Sequence, residues 1–257
     1  MYITPTWLER TELLVTQENL EKLSKAHVLI VGLGGVGSFA AEFIARAGVG
    51  KLTIVDGDVV DITNVNRQLP ALHSTVKQSK ARLMQERIQQ INPEVELTTI
   101  ASFLNPEDTV RVVQEQPYDY VLDCIDSITP KLHLIKTAQE KGCKIISSMG
   151  AGGKVDSMKL KYADISKTHA CPFAFYIRKR LRKEGIHGGV MTVFSEEVPN
   201  YESIKQTDGT NFKRSFYGTI SFIPALFGLH MASYVIRDIC GTFEYTPACI
   251  PKVPSRK

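Results

Sequence analysis

Glycine spacing directly behind a buried-strand pattern constrains this chain more than any other feature. His27-Val-Leu-Ile-Val31 is a run rich in β-branched residues, of the kind covered on both faces of a parallel sheet. Gly32-x-Gly34-x-x-Gly37 follows without a gap, with Gly35 inside it. Residues 38 to 47 then carry a helical pattern that stops at Gly48. Lys51 to Val55 is a second strand, ending on Asp56. Strand, glycine turn, helix and strand form one β-α-β unit, whose crossover is expected to be right-handed.

The alternation continues downstream. Residues 77–90 have helical spacing and end at Asn92-Pro93, and 95–100 read as a strand. A helix over 108–114 is led in by Asn105-Pro106-Glu107. A strand over 120–123, a helix over 130–141 and a strand over 144–148 follow, the last running into Gly150-Ala-Gly-Gly153. Upstream, residues 8–25 look like one helical lead-in with Leu8, Leu13, Leu14, Leu20 and Leu23 as its apolar stripe. Beyond Gly153 the pattern loosens. Residues 155–163 resemble antiparallel strands, 174–183 a basic helix and 190–195 a strand. Residues 199–215 form the longest loop, and 219–239 read as a strand entry and a helix. The expected fold class is α/β: a Rossmann-like three-layer fold whose mainly parallel sheet is extended by antiparallel strands in the C-terminal half. We expect one domain over residues 1–257, with a nucleotide-binding half (1–153) and a substrate-binding half (154–257).

Composition removes several other classes. An apolar fraction of 43% with 23% charged residues argues against disorder. The N-terminal residues, with Pro5, Glu9, Arg10 and Glu12, do not read as a signal peptide. Residues 220–236 are apolar but interrupted by Ser221, Pro224, His230 and Ser233, so no stable membrane span is expected. The five cysteines (Cys124, Cys143, Cys171, Cys240, Cys249) are an odd set without a C-x-x-C pair. This fits reduced thiols in the cytoplasm, with peripheral membrane association still open, and leaves no four-cysteine zinc site. A net charge of +4 permits an anionic partner without demanding one.

The glycine turn alone says only "nucleotide". Glycines admit phosphates to the backbone, and the helix behind them offers free N–H groups. Asp56 stands where a carboxylate holds ribose hydroxyls. An NAD-dependent dehydrogenase satisfies that much equally well. Other residues shift the balance toward a triphosphate. Asp58 lies two residues beyond Asp56, followed by Asn64-Val-Asn66-Arg67-Gln68. Arg67 is a fixed planar cation suited to phosphate oxygens, Asn64 and Asn66 are neutral amide donors, and Lys80 is a second cation. Asp123-Cys-Ile-Asp126-Ser127 ends a strand with two acids, and Asp126 lies at the carboxyl end, where ligands of open α/β sheets bind. A carboxylate there suits Mg²⁺ bridging phosphates. Two cations and a metal-holding acid serve an enzyme that stabilises a departing pyrophosphate. Each has a plain alternative: Arg67 and Lys80 as solvated helix charges, Asp126-Ser127 as a helix cap.

In this order, Gly32-Leu-Gly34-Gly35-Val-Gly37-Ser38, Asp56-Gly-Asp58, Asn64-Val-Asn66-Arg67-Gln68, Lys80 and Asp123-Cys-Ile-Asp126-Ser127 resemble the adenylating superfamily of ubiquitin-activating, molybdopterin and thiamine synthesis enzymes. The likeness runs from about residue 8 to about residue 240. Arg10-Thr-Glu-Leu-Leu, residues 126–131 (DSITPK), Gly150-Ala-Gly-Gly153, residues 194–197 (FSEE) and 218–224 (GTISFIP) resemble the tRNA threonylcarbamoyladenosine dehydratase branch. That resemblance implies ATP and Mg²⁺, a homodimer formed through the C-terminal half, and a tRNA substrate read at its anticodon loop. It admits a monovalent cation and a sulfur-transfer or carrier protein as further partners. It implies catalytic roles for Arg67, Lys80 and Asp126, with Asp126 as metal ligand. It also implies that Arg10 reaches the partner subunit's ATP, with Lys131 a weaker candidate for the same pocket. Gly32, Gly34, Gly35, Gly37, Asp56, Asp58, Asn64, Asn66, Gln68 and Ser127 complete the expected nucleotide contacts.

Two other readings stay open at this point. Activation of a ubiquitin-like sulfur carrier shares the chemistry and changes the acceptor. A nucleotide-binding scaffold without turnover shares only the turn. Cys171 is the sole cysteine placed like a nucleophile, and an ordinary loop thiol explains it as well. The family often has Asp-Pro where this chain has Cys171-Pro172, which weakens any role for the thiol. The basic run Arg178-Lys-Arg-Leu-Arg-Lys183 reads either as a phosphate track or as a solvated helix face.

Overall fold

The computed structural model describes residues 2–206 and 215–242. Its centre is a seven-stranded sheet in the order β3-β2-β1-β4-β5-β7-β6. The strands are β1 (His27–Val31), β2 (Lys51–Val55), β3 (Glu96–Ile100), β4 (Tyr120–Asp123), β5 (Lys144–Ser148), β6 (Leu160–Asp164) and β7 (Met191–Ser195). All pairings are parallel except β6 on β7. The expected antiparallel character of residues 155–163 thus resolves into one edge strand, preceded by a short 3₁₀ turn over Ser157–Lys159. Strand β7 runs parallel to β5 and antiparallel to β6, and so joins the two halves of the chain in one sheet.

Alternation along each central strand fills both faces. Val28 and Ile30 of β1 join one core with α3 (Gly37–Arg46), α4 (Lys80–Ile91) and α8 (Phe222–Cys240). Leu29 and Val31 join the other with α5 (Pro106–Glu115), α6 (Ile128–Glu140) and α7 (Pro172–Lys183). Each fully buried Leu, Ile or Val in these layers contributes about 1.5–3 kcal/mol relative to exposure. Helix α8 lies tightly on α3, because a side chain at Gly228 would come within 2.2 Å of the Val36 carbonyl oxygen. Among the described residues no helix is long and apolar enough to cross a membrane.

The lead-in departs from expectation. It is two helices, α1 (Glu9–Val15) and α2 (Gln17–Lys25), broken at Thr16 with φ +77°. A β-branched residue pays for that conformation with local strain, and helical spacing does not carry across it. Leu8, Leu20 and Leu23 are therefore buried while Leu13 and Leu14 are each 84% exposed. The long polar segment also holds more structure than expected: a 3₁₀ turn over Tyr201–Ser203 and β8 (Ile204–Gln206), which pairs with β9 (Ser215–Tyr217). No strand leads into α8; β9 ends earlier, and the helix begins at Phe222.

Candidate functional site

Helix α3 leaves β1 on one face of the sheet and α6 leaves the neighbouring β4 on the other. The carboxyl ends of β1 and β4 thus flank a topological switch point, the place where such sheets hold ligands. The glycine turn sits there. Gly32 has φ +92°, and a side chain on it would lie 3.0 Å from the Cys124 carbonyl oxygen. A side chain on Gly37 would lie 1.7 Å from the Gly32 carbonyl oxygen, so the turn closes only with glycine at both positions. No side chain caps the N-terminus of the ten-residue helix α3; the Ser38 N–H donates to the Gly34 carbonyl at 3.2 Å, and the positive end of the helix faces the turn, where it favours an anion.

Asp56 braces this turn. Its carboxylate accepts from the Leu33 N–H at 2.6 Å and from the Asp58 N–H at 2.7 Å. Burial pushes the Asp56 carboxyl up from its ordinary range, against the pull of those two N–H groups. Asp58 in turn receives Lys80 Nζ at 3.1 Å. Lys80 is almost fully buried although it opens α4, where the helix dipole disfavours a cation. The Asp58 carboxylate offsets that cost, and Ser79 caps the helix.

The Asn64–Gln68 segment forms the facing wall. Asp61 and Asn64 cap one another reciprocally, which buries Asn64. Arg67 is half-buried and donates to Asn66 Oδ1 at 2.8 Å and to the Thr63 carbonyl at 2.9 Å. Burial lowers the pKa of its guanidinium, and the attraction of Asp126 opposes that. The side chain of Gln68 faces Gly34, and its buried Oε1 has no hydrogen-bond partner within the protein. A buried polar atom left so beside a phosphate-type turn is a signal for a ligand. Asn66 donates to the Thr219 carbonyl at 3.0 Å and ties this wall to the start of α8, whose Pro224 abuts Gly35.

Asp123 and Asp126 take different places. Asp123 is fully buried and accepts from Lys131 Nζ at 2.7 Å and Ser147 Oγ at 2.6 Å, with Lys131 also fully buried. Its second oxygen accepts from the Ile125 N–H at 3.2 Å, which shapes the loop beyond β4. Lys131 therefore lies beneath the loop, with its amine on Asp123. Asp126 is exposed at the loop's outer edge, with Ser127 Oγ 3.5 Å from it. Ser127 occupies the capping position of α6 but makes no side-chain capping bond.

Arg10 is not brought to this cleft within one chain. It is exposed on α1, two residues after Leu8, whose side chain abuts Gly48 just beyond the end of α3. That end of α3 lies at the amino edge of the parallel strands, opposite the glycine turn. Of the cysteines, Cys171 is buried beside Gly150, while burial pushes the Cys124, Cys143 and Cys240 thiols up. Cys249 lies outside the described residues.

Lys154 escaped the sequence reading. It is 3% exposed, donates to the Gly150 carbonyl at 2.6 Å, and sits beside the Cys171 thiol and above the Phe227 ring. Burial pushes its amine down. The only signal was a lysine directly after Gly150-Ala-Gly-Gly153, at a strand end on the ligand edge. The Asp123–Ser147 contact was equally hidden, because it joins two neighbouring strands.

Among the described residues no three His, Cys, Asp or Glu side chains cluster as a metal cage. Mg²⁺ needs none, since one or two carboxylates with phosphate oxygens and water suffice. Asp126, exposed and within electrostatic reach of Arg67, fits that pattern better than the fully buried Asp123.

Comparison with known proteins agrees with this geometry. The ThiF family model matches residues 8–252. The chain is 43% identical to the Bacillus subtilis tRNA threonylcarbamoyladenosine dehydratase, over 91% of this chain and 95% of that protein. It is 36% identical to the Escherichia coli enzyme of the same name, over 92% and 96%. The crystal structure of that E. coli enzyme in complex with ATP superposes with a TM-score of 0.82 at 34% identity, covering 94% of this chain and 98% of the other. The chain belongs to the ThiF family, on the branch of the tRNA threonylcarbamoyladenosine dehydratases.

Proposed function

We propose that this protein uses ATP to cyclise the threonylcarbamoyl group of threonylcarbamoyladenosine at position 37 of tRNA, in the anticodon loop. The observation that carries the reading is Gln68 Oε1, a buried acceptor with no hydrogen-bond partner within the protein, on the side chain that faces the glycine turn before α3. A buried polar atom left so calls for a ligand, and half-buried Arg67 together with Lys80, which Asp58 holds in place, supplies the cations that suit a polyphosphate. The whole-length similarity to dehydratases supports the choice of acceptor.

In this mechanism the substrate carboxylate attacks the α-phosphorus of ATP and pyrophosphate departs. The carbamoyl nitrogen of the same side chain then attacks the acyl carbon. AMP leaves with the former carboxylate oxygen, and the net change is loss of water. Both reacting groups belong to one molecule, so their effective concentration is high and no enzyme nucleophile is required. Gly34, Gly35 and Gly37 with the α3 N-terminus receive phosphates, Asp56 the ribose, and Gln68 Oε1 a donor of the nucleotide. Arg67 and Lys80 neutralise the charge that develops on pyrophosphate. Asp126 would hold Mg²⁺, which supplies further neutralisation when bound.

A homodimer belongs to the same proposal. Arg10 stands at the amino edge of its own sheet, so it meets a nucleotide only in a second copy of the chain. The apolar side chains of Leu13 and Leu14, one turn further along α1, are available to such a contact.

ATP–pyrophosphate exchange driven by tRNA bearing threonylcarbamoyladenosine tests the reading, paired with mass spectrometry of the digested nucleosides. Exchange and a product lighter by one water are expected. ATP binding without either outcome would leave a scaffold. Transfer of AMP to a carrier protein instead would move the acceptor.

A further inference from the structure

Helix α7 carries two large aromatic side chains on its outer face. Phe175 and Tyr176 are 50% and 54% exposed, their rings edge to face with centroids 5.6 Å apart. Ala174, Ile177 and Leu181 on the inner face are buried, which fixes the helix orientation. The Arg178 guanidinium lies over Phe175 at 5.9 Å and donates to the Thr168 carbonyl at 2.9 Å, so this side of the pair is held in place. Five cations occupy the six positions 178–183, and α7 contains no acid.

A second aromatic pair stands on the same side of the cleft. Tyr201 and Tyr217 have ring centroids 6.3 Å apart, and Tyr201 is 56% exposed. Tyr217 packs on Gly152 and Gly153, where a side chain would come within 2.8 and 2.9 Å of it. It lies within electrostatic reach of Tyr176 and of Cys171, which opens α7. A backbone bond from the Gly153 N–H to the Gly218 carbonyl (2.8 Å) ties this strap to the 150–153 loop, and the Asn66 side-chain amide, donating to the Thr219 carbonyl (3.0 Å), attaches it to the wall that bears Arg67.

Single exposed aromatics are ordinary on protein surfaces. Two adjoining pairs beside a cation run, bordering a nucleotide cleft, are a different pattern. Proteins read single-stranded RNA by stacking unpaired bases on aromatic rings while cations follow the backbone. We propose that Phe175, Tyr176, Tyr201 and Tyr217 form a stacking platform for the unpaired anticodon-loop bases that flank the modified adenosine, with the basic end of α7 on the adjoining phosphates. This rests on the tRNA reading above and adds the surface that presents the loop to the cleft.

Fluorescence anisotropy tests it on the full-length protein, with two probes. One is a synthetic anticodon stem-loop bearing threonylcarbamoyladenosine, and the other is the same stem closed into a duplex without unpaired bases. Alanine at a stacking ring weakens single-strand binding by a factor of about 5 to 150. The Phe175→Ala/Tyr176→Ala variant is expected to bind the stem-loop at least about tenfold more weakly. Its affinity for the duplex and for ATP should not change, and Tyr176→Phe should retain tight binding. Arg180→Ala/Arg182→Ala is expected to weaken both RNAs alike and to flatten the salt dependence. Wild-type affinity of the double aromatic variant for the stem-loop would overturn the platform while leaving the tRNA reading intact. So would weakening that tracks a change of oligomeric state on gel filtration, because the face would then join copies of the chain. A wild-type protein that binds ATP but neither binds nor cyclises the stem-loop would overturn both.

Discussion

Three lysines are buried at the ligand edge of the same sheet, and the surroundings of two of them, Lys131 and Lys154, differ in kind. Lys131 is fully buried, yet its amine touches a buried carboxylate, Asp123, and a buried hydroxyl, Ser147. Lys154 is nearly as buried, yet its contacts are the Gly150 carbonyl and the Cys171 thiol, with no carboxylate within 4.0 Å among the described residues. The first is a completed pair that sets the loop beyond β4 through Asp123. The second is a charge held beside a glycine-rich loop with no carboxylate in contact, and Glu197 attracts it only from farther off. Burial alone does not distinguish a structural cation from one kept at a cost; the partner does.

The largest effect should come from breaking the completed pair. Lys131→Met strands the Asp123 carboxylate, and we expect a loss of about 3–5 kcal/mol in urea denaturation. Adding Asp123→Asn should restore most of it, since removing both charges removes the penalty. If the single variant keeps wild-type stability, the contrast between the lysines disappears.

Asp126→Ala probes the exposed acid of the same loop. Turnover should fall by a factor of about 10²–10³, as for other losses of transition-state charge stabilisation. The denaturation midpoint should stay within about 0.5 kcal/mol of wild type, because the residue is on the surface. Activity and stability lost together would make Asp126 a second Asp123.

Packing above the cleft gives a smaller effect. Gly228→Ala pushes α8 from α3 at the Val36 carbonyl, and a loss of about 1–3 kcal/mol is expected in thermal unfolding.

Lys154→Met should be smallest in stability and opposite in sign to Lys131→Met, with a gain between zero and about 1 kcal/mol. The pH dependence sharpens the test. Burial depresses the Lys154 amine below its ordinary 10.5, opposed by Cys171 and Glu197. Between the folded value and 10.5 the unfolded chain binds more protons, so this group makes stability rise with pH across that window. Below the folded value the whole penalty is present. Lys154→Met should flatten the rise, as followed by denaturation at successive pH values.

Much of this molecule was legible because its signals are local. The strands over 27–31, 51–55, 120–123 and 144–148 occupy the ranges their β-branched runs mark. The glycine turn lies between strand and helix as its spacing demands, with Gly32 at positive φ. Failures came where tertiary context governs. Leu13 and Leu14 fit a stripe that continues only if Thr16 is helical, and it is not. The segment 199–215 is mostly polar and turn-rich, yet Ile204–Gln206 within it pairs as β8 with β9, which starts at Ser215. Asn66 and Thr219 are far apart in the chain and adjacent in the wall.

Sequence alone determined the α/β class, the nucleotide turn and the acids and bases offered around it. Strand periodicity, glycine geometry and helix starts depend on neighbours along the chain, so they can be read in one dimension. The tertiary structure decided which of those charges pair with one another: Asp123 with Lys131, Asp58 with Lys80, and Lys154 with no carboxylate within 4.0 Å among the described residues. It also decided that Arg10 lies at the opposite edge from its own chain's turn. Pairing and burial arise only when distant segments meet, because they depend on which side chains exclude water from one another.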